Sequence, residues 1–172
     1  SELMGEGWTV GCHAHTHTDL TSLTESQIHA QMQDVNAAFL AAGLPTPEHH
    51  AYPFGSNNAL VREVISQYRV TGRDVYTGIV DIQLWGQPIN WYTLRTYPLS
   101  VGGRTPEDAK ALIDLAIERN QVLIFFTHDV SDTPGPNGYY ADDLKEILDY
   151  IAAKRDAGLI EPVTIDGLYR AM

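Results

Sequence analysis

The sequence predicts an α/β fold, and two observations carry that prediction. Short apolar runs of β character alternate along the chain with longer segments whose apolar residues recur at helical spacing. The strongest run, "VLIFFTHD" at 122–129, is continuously apolar up to a polar end, the pattern of a central parallel strand buried on both faces. The chain has 172 residues, 44% of them hydrophobic, enough for one domain spanning 1–172 with a sizeable core.

Taken in order, "WTVGCH" reads as a buried strand that ends at histidines. "TESQ" opens a helix, with Thr24 as N-cap and Gln27 at the capping-box position. Ile28, Met32, Val35, Phe39 and Leu40 follow on its apolar face, and Gly43 closes it. "EHHAYPFG" is a strand with a Pro/Gly turn, and Asn57 or Asn58 caps a second helix, "ALVREVISQY". "RVTG" and "DVYTGIV" are strand-like. Residues 81–100 read as a long aromatic loop with a strand near "WYTLRTYPL". Thr105, Pro106, Glu107 and Asp108 start a clear helix, "TPEDAKALIDLAIERNQ". After "VLIFFTHD" comes a loop, "DTPGPNG". The last long helix, "ADDLKEILDYIAAKRDAG", stops at Gly158, and "EPVTIDGLYRAM" suggests a final strand and a short helical tail.

The net charge of −11 leaves no basic stripe for phosphates, which argues against nucleic acid or an anionic membrane as partner. A neutral or cationic substrate fits better. The single cysteine, Cys12, excludes an internal disulfide. No run approaches the roughly 20 apolar residues of a membrane span, and no signal peptide is visible. Residues 1–7 read as an expression boundary or a truncation.

Three predicted strand ends carry chemistry: "GCHAHTHTDL" at 11–20, "AYPFG" at 51–55 and "FTHD" at 126–129. In parallel α/β folds, sites gather at the carboxyl ends of strands. His13, His15 and His17 alternate, and imidazole is the commonest side-chain metal ligand. An extended chain would put all three on one face. A helical turn would pair His13 with His17. Either geometry can hold zinc.

The extended arrangement resembles the start of phosphoesterases of the PHP type and of amidohydrolases. The paired arrangement resembles the polysaccharide deacetylase (NodB-homology) family, carbohydrate esterase family 4. "TVGCHAHTHTDLTSLTESQI" follows that family's strand, H-x-x-x-H pair, Asp-Leu and capped helix. Cys12 stands in place of the usual serine and Thr18 in place of the usual proline. "AYPFGSNN" looks like its Pro-Tyr-Gly turn, and "VLIFFTHDV" like its late strand ending in histidine.

The resemblance implies an incomplete (β/α)7-type barrel and a metal-dependent removal of N- or O-linked acetyl groups from a carbohydrate. His13 and His17 would be metal ligands, with zinc expected and cobalt, nickel or manganese as alternatives. His15 would be a spacer. The Phe54 backbone N–H would hold the oxyanion, His128 would protonate the leaving group, and Arg73 would orient a catalytic group. Tyr52, Trp85, Trp91 and Tyr92 are candidates to contact sugar. The family's opening strand with its Asp-Asp pair, source of the third ligand and the base, has no counterpart here. Asp19 and Asp129 are the nearest substitutes. A homo-oligomer could complete the truncated sheet, and the family points to the cell exterior or envelope. Two other functions remain open: a metal phosphoesterase, and a non-catalytic carbohydrate-binding remnant.

Overall fold

The computed structural model describes residues 2–80 and 89–172. The fold is α/β, with short parallel sheets that stay open rather than closing into a barrel. The chain forms two compact units. The first holds Ser1–Asp74, Asn90–Leu94 and Val163–Met172, and the second holds Val75–Ile89 and Arg95–Pro162.

In the first unit, helix α1 is a single turn, Glu2–Gly5. The predicted strand "WTVGCH" is reduced to one bridge: Cys12 pairs in parallel with His50. Helix α2 (Glu25–Ala41) begins where its sequence says it should. Thr24 and Gln27 close a reciprocal capping box, satisfying two N–H groups that the first turn would otherwise leave unpaired. Its apolar stripe buries Ile28, Met32 and Val35. Each such side chain contributes roughly 1.5–3 kcal/mol by leaving water. Leu40, expected on that stripe, is exposed. Gly43, with φ +70°, ends the helix in the left-handed region that a Cβ disfavours.

Strand β1 (His49–Ala51) pairs in parallel with β2 (Thr71–Arg73), in register His49–Thr71 through Ala51–Arg73. Helix α3 (Ala59–Ser66) crosses between them, and its N-cap is Asn58, whose side chain accepts from the Val61 N–H. A further parallel bridge joins Arg73 to Leu94. The spatial order is therefore Cys12, β1, β2, Leu94. Cys12, Leu20, Ile28, Met32, Val35, Tyr52, Val61, Val64 and Ile65 form the core on the helical side. The expected terminal strand is absent: Thr164 caps helix α6 (Ile165–Ala171) directly.

In the second unit, β3 (Tyr97–Pro98) pairs in parallel with β4 (Phe125–Phe126). "DVYTGIV" contributes only Val80, in an antiparallel bridge to Val122. Helices α4 (Pro106–Arg119) and α5 (Ala141–Asp156) pack over Leu99, Ala109, Ile113, Tyr139 and Ile147. The Thr105–Asp108 capping box starts α4, and Asn120 ends it in the left-handed conformation. The short pair β5 (Val130–Ser131) and β6 (Tyr139–Tyr140) flanks the "DTPGPNG" loop.

The central-strand expectation for 122–129 needs correction. Only Phe125 and Phe126 are in a strand, and residues 122–127 are half-buried rather than buried on both faces. The apolar run implies two covered faces and two neighbours. Among the described residues β4 has one neighbouring strand, β3, and its other edge is open.

Candidate functional site

The carboxyl end of β1 carries the first two motifs. Cys12 is held on both sides of its peptide: its N–H donates to the His49 carbonyl and its carbonyl accepts from the Ala51 N–H. His13 therefore emerges beside Ala51, and His13 Nδ1 lies 2.7 Å from the Ala51 carbonyl oxygen. A carbonyl only accepts, so Nδ1 carries the proton and Nε2 the lone pair. This bond fixes both tautomer and ring direction, as the second hydrogen bond of a metal-ligating histidine does.

Residues 13–18 form neither an extended strand nor a helical turn. Gln31 of α2 shapes this loop. Its Oε1 accepts from the backbone N–H groups of His15 and Thr16, both at 3.0 Å, and from the Thr16 hydroxyl. Ala14 and His17 take left-handed backbone, φ 59° and 53°. The chain thus doubles back, and the His13 and His17 rings meet edge to face with centroids 4.8 Å apart. His15 points elsewhere, its Nδ1 3.7 Å from an Asp34 carboxylate oxygen on α2.

The "AYPFG" turn meets the same spot. Phe54 is left-handed, φ 58°, and its exposed ring lies edge-on to His17 at 4.8 Å between centroids. Four non-glycine residues have positive φ among the described residues, and three of them, Ala14, His17 and Phe54, surround this point. Each costs about 1–3 kcal/mol, strain that gathers where geometry serves a function.

The other expected residues are distributed unevenly. Tyr52 is a core residue, 1% exposed, and its hydroxyl donates to the Tyr92 carbonyl. Burial pushes that phenol well above its ordinary pKa. Its ring fills the space beside Gly72 rather than a substrate cleft. Trp91 is half-buried with its ring edge-on to Tyr169, and Trp85 lies outside the described residues. Arg73, the last residue of β2, is half-buried. Burial lowers its pKa while the Asp74 carboxylate beside it raises it. His128 lies in the second unit, exposed, its ring edge-on to Phe126.

Both substitute carboxylates have local partners of their own. Asp19 caps the short turn Leu20–Ser22, accepting from the Thr21 N–H and hydroxyl, and those bonds hold its carboxyl below the usual range. Asp129 accepts from the Ser131 hydroxyl.

One group that the sequence did not suggest stands at the amino end of β1. Ligand atoms of Glu48, His49 and Asp166 all lie within 4.8 Å of one another, a set that could coordinate a divalent cation. Arg170 already occupies it, donating to Glu48 at 2.7 Å and to Asp166 at 2.9 Å. Asp166 also lies 3.3 Å from His49 Nε2, while His49 Nδ1 is bonded to the Thr71 hydroxyl. As built, the cluster ties α6 to β1. Partners 117 and 122 residues apart are not visible in local patterning.

Residues 1–72 match the family model "Polysaccharide deacetylase". Over 88 residues, 49% of this chain, the sequence is 31% identical to a bifunctional xylanase/xylan deacetylase of Cellvibrio japonicus, of which it spans only 13%. Among solved structures it resembles a family 4 carbohydrate esterase from Streptomyces lividans in complex with acetate. That likeness has a TM-score of 0.52 and 23% identity, over 91% of this chain and 66% of the other. It also resembles the T48 deacetylase with substrate, with a TM-score of 0.55 and 20% identity, over 99% of this chain and 69% of the other. At these identities the likeness establishes the fold.

Proposed function

We propose that this chain, whose fold is that of the polysaccharide deacetylases, serves a metal-dependent hydrolysis of acetyl groups on a carbohydrate. The observation that carries the reading is the convergence of His13, His17 and the left-handed Phe54 at the carboxyl end of β1. The donor set suits a borderline cation such as zinc: two imidazoles side by side, one with its tautomer locked by a backbone carbonyl. When bound, the ion would polarise an acetyl carbonyl and make water nucleophilic at neutral pH.

The chain's own groups supply the rest of the reading. His13 and His17 hold the ion. The Phe54 N–H, at a turn fixed between Pro53 and Gly55, is assigned to the oxygen that gains charge as the carbonyl becomes tetrahedral. His128 is assigned the proton delivered to the leaving amine or alcohol, a role suited to an imidazole. Arg73 is assigned the orientation of a neighbouring group. The third ligand and the base are not among these residues. This favours keeping a second reading, a carbohydrate-binding domain without turnover.

Acetate release from acetylated xylo-oligosaccharide and from N-acetylated chito-oligosaccharide separates the two. Hydrolysis predicts release that a chelator stops, that added zinc restores, and that His13→Ala abolishes. Binding of either glycan without acetate release would replace the enzyme by the binding domain. Chelator-sensitive release of phosphate from phosphate esters, with none of acetate, would favour the phosphoesterase.

A further inference from the structure

A cavity of about 310 Å³ opens at the amino end of β1, within the first unit, and the proposed hydrolysis leaves it without a role. Three segments enclose it. Cys12 donates its N–H to the His49 carbonyl, which holds residues 8–11 alongside the start of β1. Glu48 is fixed next to them, its carbonyl accepting from the Val70 N–H. Thr164 caps α6, and Asp166 and Arg170, four residues apart, share one face of that helix.

The lining has an apolar half and a charged half. Trp8, Phe39 and Pro47 supply the first, and Trp8 remains 64% exposed. Glu48, Asp166 and Arg170 supply the second. Arg170 donates to both carboxylates, at 2.7 Å to Glu48 and 2.9 Å to Asp166. Its bond holds the Asp166 carboxyl below the usual range, so that group is ionised at neutral pH. Two carboxylates therefore face one guanidinium, and one negative charge is left over beside an exposed indole.

That combination selects among ligands. An anion is repelled, and a metal ion would have to displace Arg170. A neutral ring leaves the surplus charge unanswered. A primary ammonium is strongly hydrated and needs several acceptors, on which Arg170 and His49 already draw. A quaternary ammonium has no N–H to satisfy. It needs only an aromatic face and a negative field, and gains from both at once. The cavity lies at the small end of ligand sites, which suits a compact cation.

We infer that this cavity binds one small quaternary ammonium ion of the choline class, with its methyl groups against the Trp8 indole and its charge towards Glu48 and Asp166. The cation is taken free rather than as a phosphate ester, because a phosphate would add a second negative charge beside the carboxylates. This inference stands apart from the deacetylase reading, and its test needs neither metal nor acetylated substrate.

The test follows the indole N–H signals of the three tryptophans by nuclear magnetic resonance, on the whole chain at constant ionic strength. Choline should move one signal saturably, and that signal should be the one missing from Trp8→Ala. Glu48→Gln, at an exposed position, should keep the fold and weaken choline about tenfold. The neutral isostere 3,3-dimethylbutanol, the primary amine ethanolamine and the ester glycerophosphocholine should each bind about tenfold less tightly than choline. No saturable shift of the Trp8 signal, an unchanged affinity in Glu48→Gln, or equal binding of any of the three comparison compounds overturns the inference.

Discussion

Gly72→Ala tests how tightly the strand pair behind the candidate site is packed. Gly72 is the middle residue of β2, and its φ is not positive, so the backbone itself would accept alanine. The obstacle is Tyr52. A Cβ at position 72 would lie 2.7 Å from Tyr52 Cζ and 2.9 Å from Cε2, and closer still to the hydroxyl oxygen. Tyr52 has no room to retreat, being 1% exposed and bonded through its hydroxyl to the Tyr92 carbonyl. Overpacking of this kind costs about 1–3 kcal/mol. Stranding the buried hydroxyl and its acceptor costs roughly 1–3 kcal/mol more. Reduced freedom of the unfolded chain returns about 0.4–1 kcal/mol. The expected net loss is about 1–5.5 kcal/mol, read as a lower urea midpoint with an unchanged slope. Gly11→Ala is the internal control: its Cβ would meet the His49 carbonyl oxygen at 3.2 Å, a contact that small shifts absorb. A Gly72→Ala loss below about 0.5 kcal/mol, or one no larger than that of Gly11→Ala, would refute the packing argument.

Two further outcomes are expected. Gln31→Ala removes the acceptor that holds the His15 and Thr16 N–H groups, so metal affinity should fall about tenfold while the unfolding midpoint changes little; equal loss of both would make Gln31 merely structural. His50 should make stability acid-sensitive. Its folded pKa of about 3 lies below the ordinary 6.5, so the unfolded chain takes up a proton that the folded one refuses. Stability is then whole above pH 6.5 and falls as pH drops towards 3, by up to about 1.4 kcal/mol per pH unit from this group. His50→Leu should flatten that slope, and an unchanged slope would show that another group dominates.

The parts legible in sequence were those governed by local rules. The capping boxes at Thr24 and Thr105 announce α2 and α4, because a cap and its reciprocal acceptor lie three residues apart. The alternation of strand and helix gives the fold class for the same reason. The strands were overread: "WTVGCH" and "VLIFFTHD" have the composition of central strands, yet a strand exists only where neighbours pair with it. Within the site, the H-x-x-x-H spacing singled out His13 and His17, and the structure brings their rings together. The loop conformation that does so was not legible, since it depends on Gln31, which lies on an ordinary-looking helix. Tyr52 shows the opposite error. It was a candidate to contact sugar, but its side chain lies in the core of the first unit. The Glu48–His49–Asp166–Arg170 cluster joins residues more than a hundred positions apart, beyond any local pattern.

The proposed metal ligands are His13 and His17 rather than the cluster at the other end of β1. Zinc titration by calorimetry, on protein without a histidine tag, compares the unaltered chain with His13→Ala, His17→Ala, His15→Ala and His49→Ala. The account predicts one equivalent bound, lost in the first two variants and kept in the last two. Binding that survives His13→Ala and His17→Ala but disappears in His49→Ala would move the metal to Glu48, His49 and Asp166 and contradict the account.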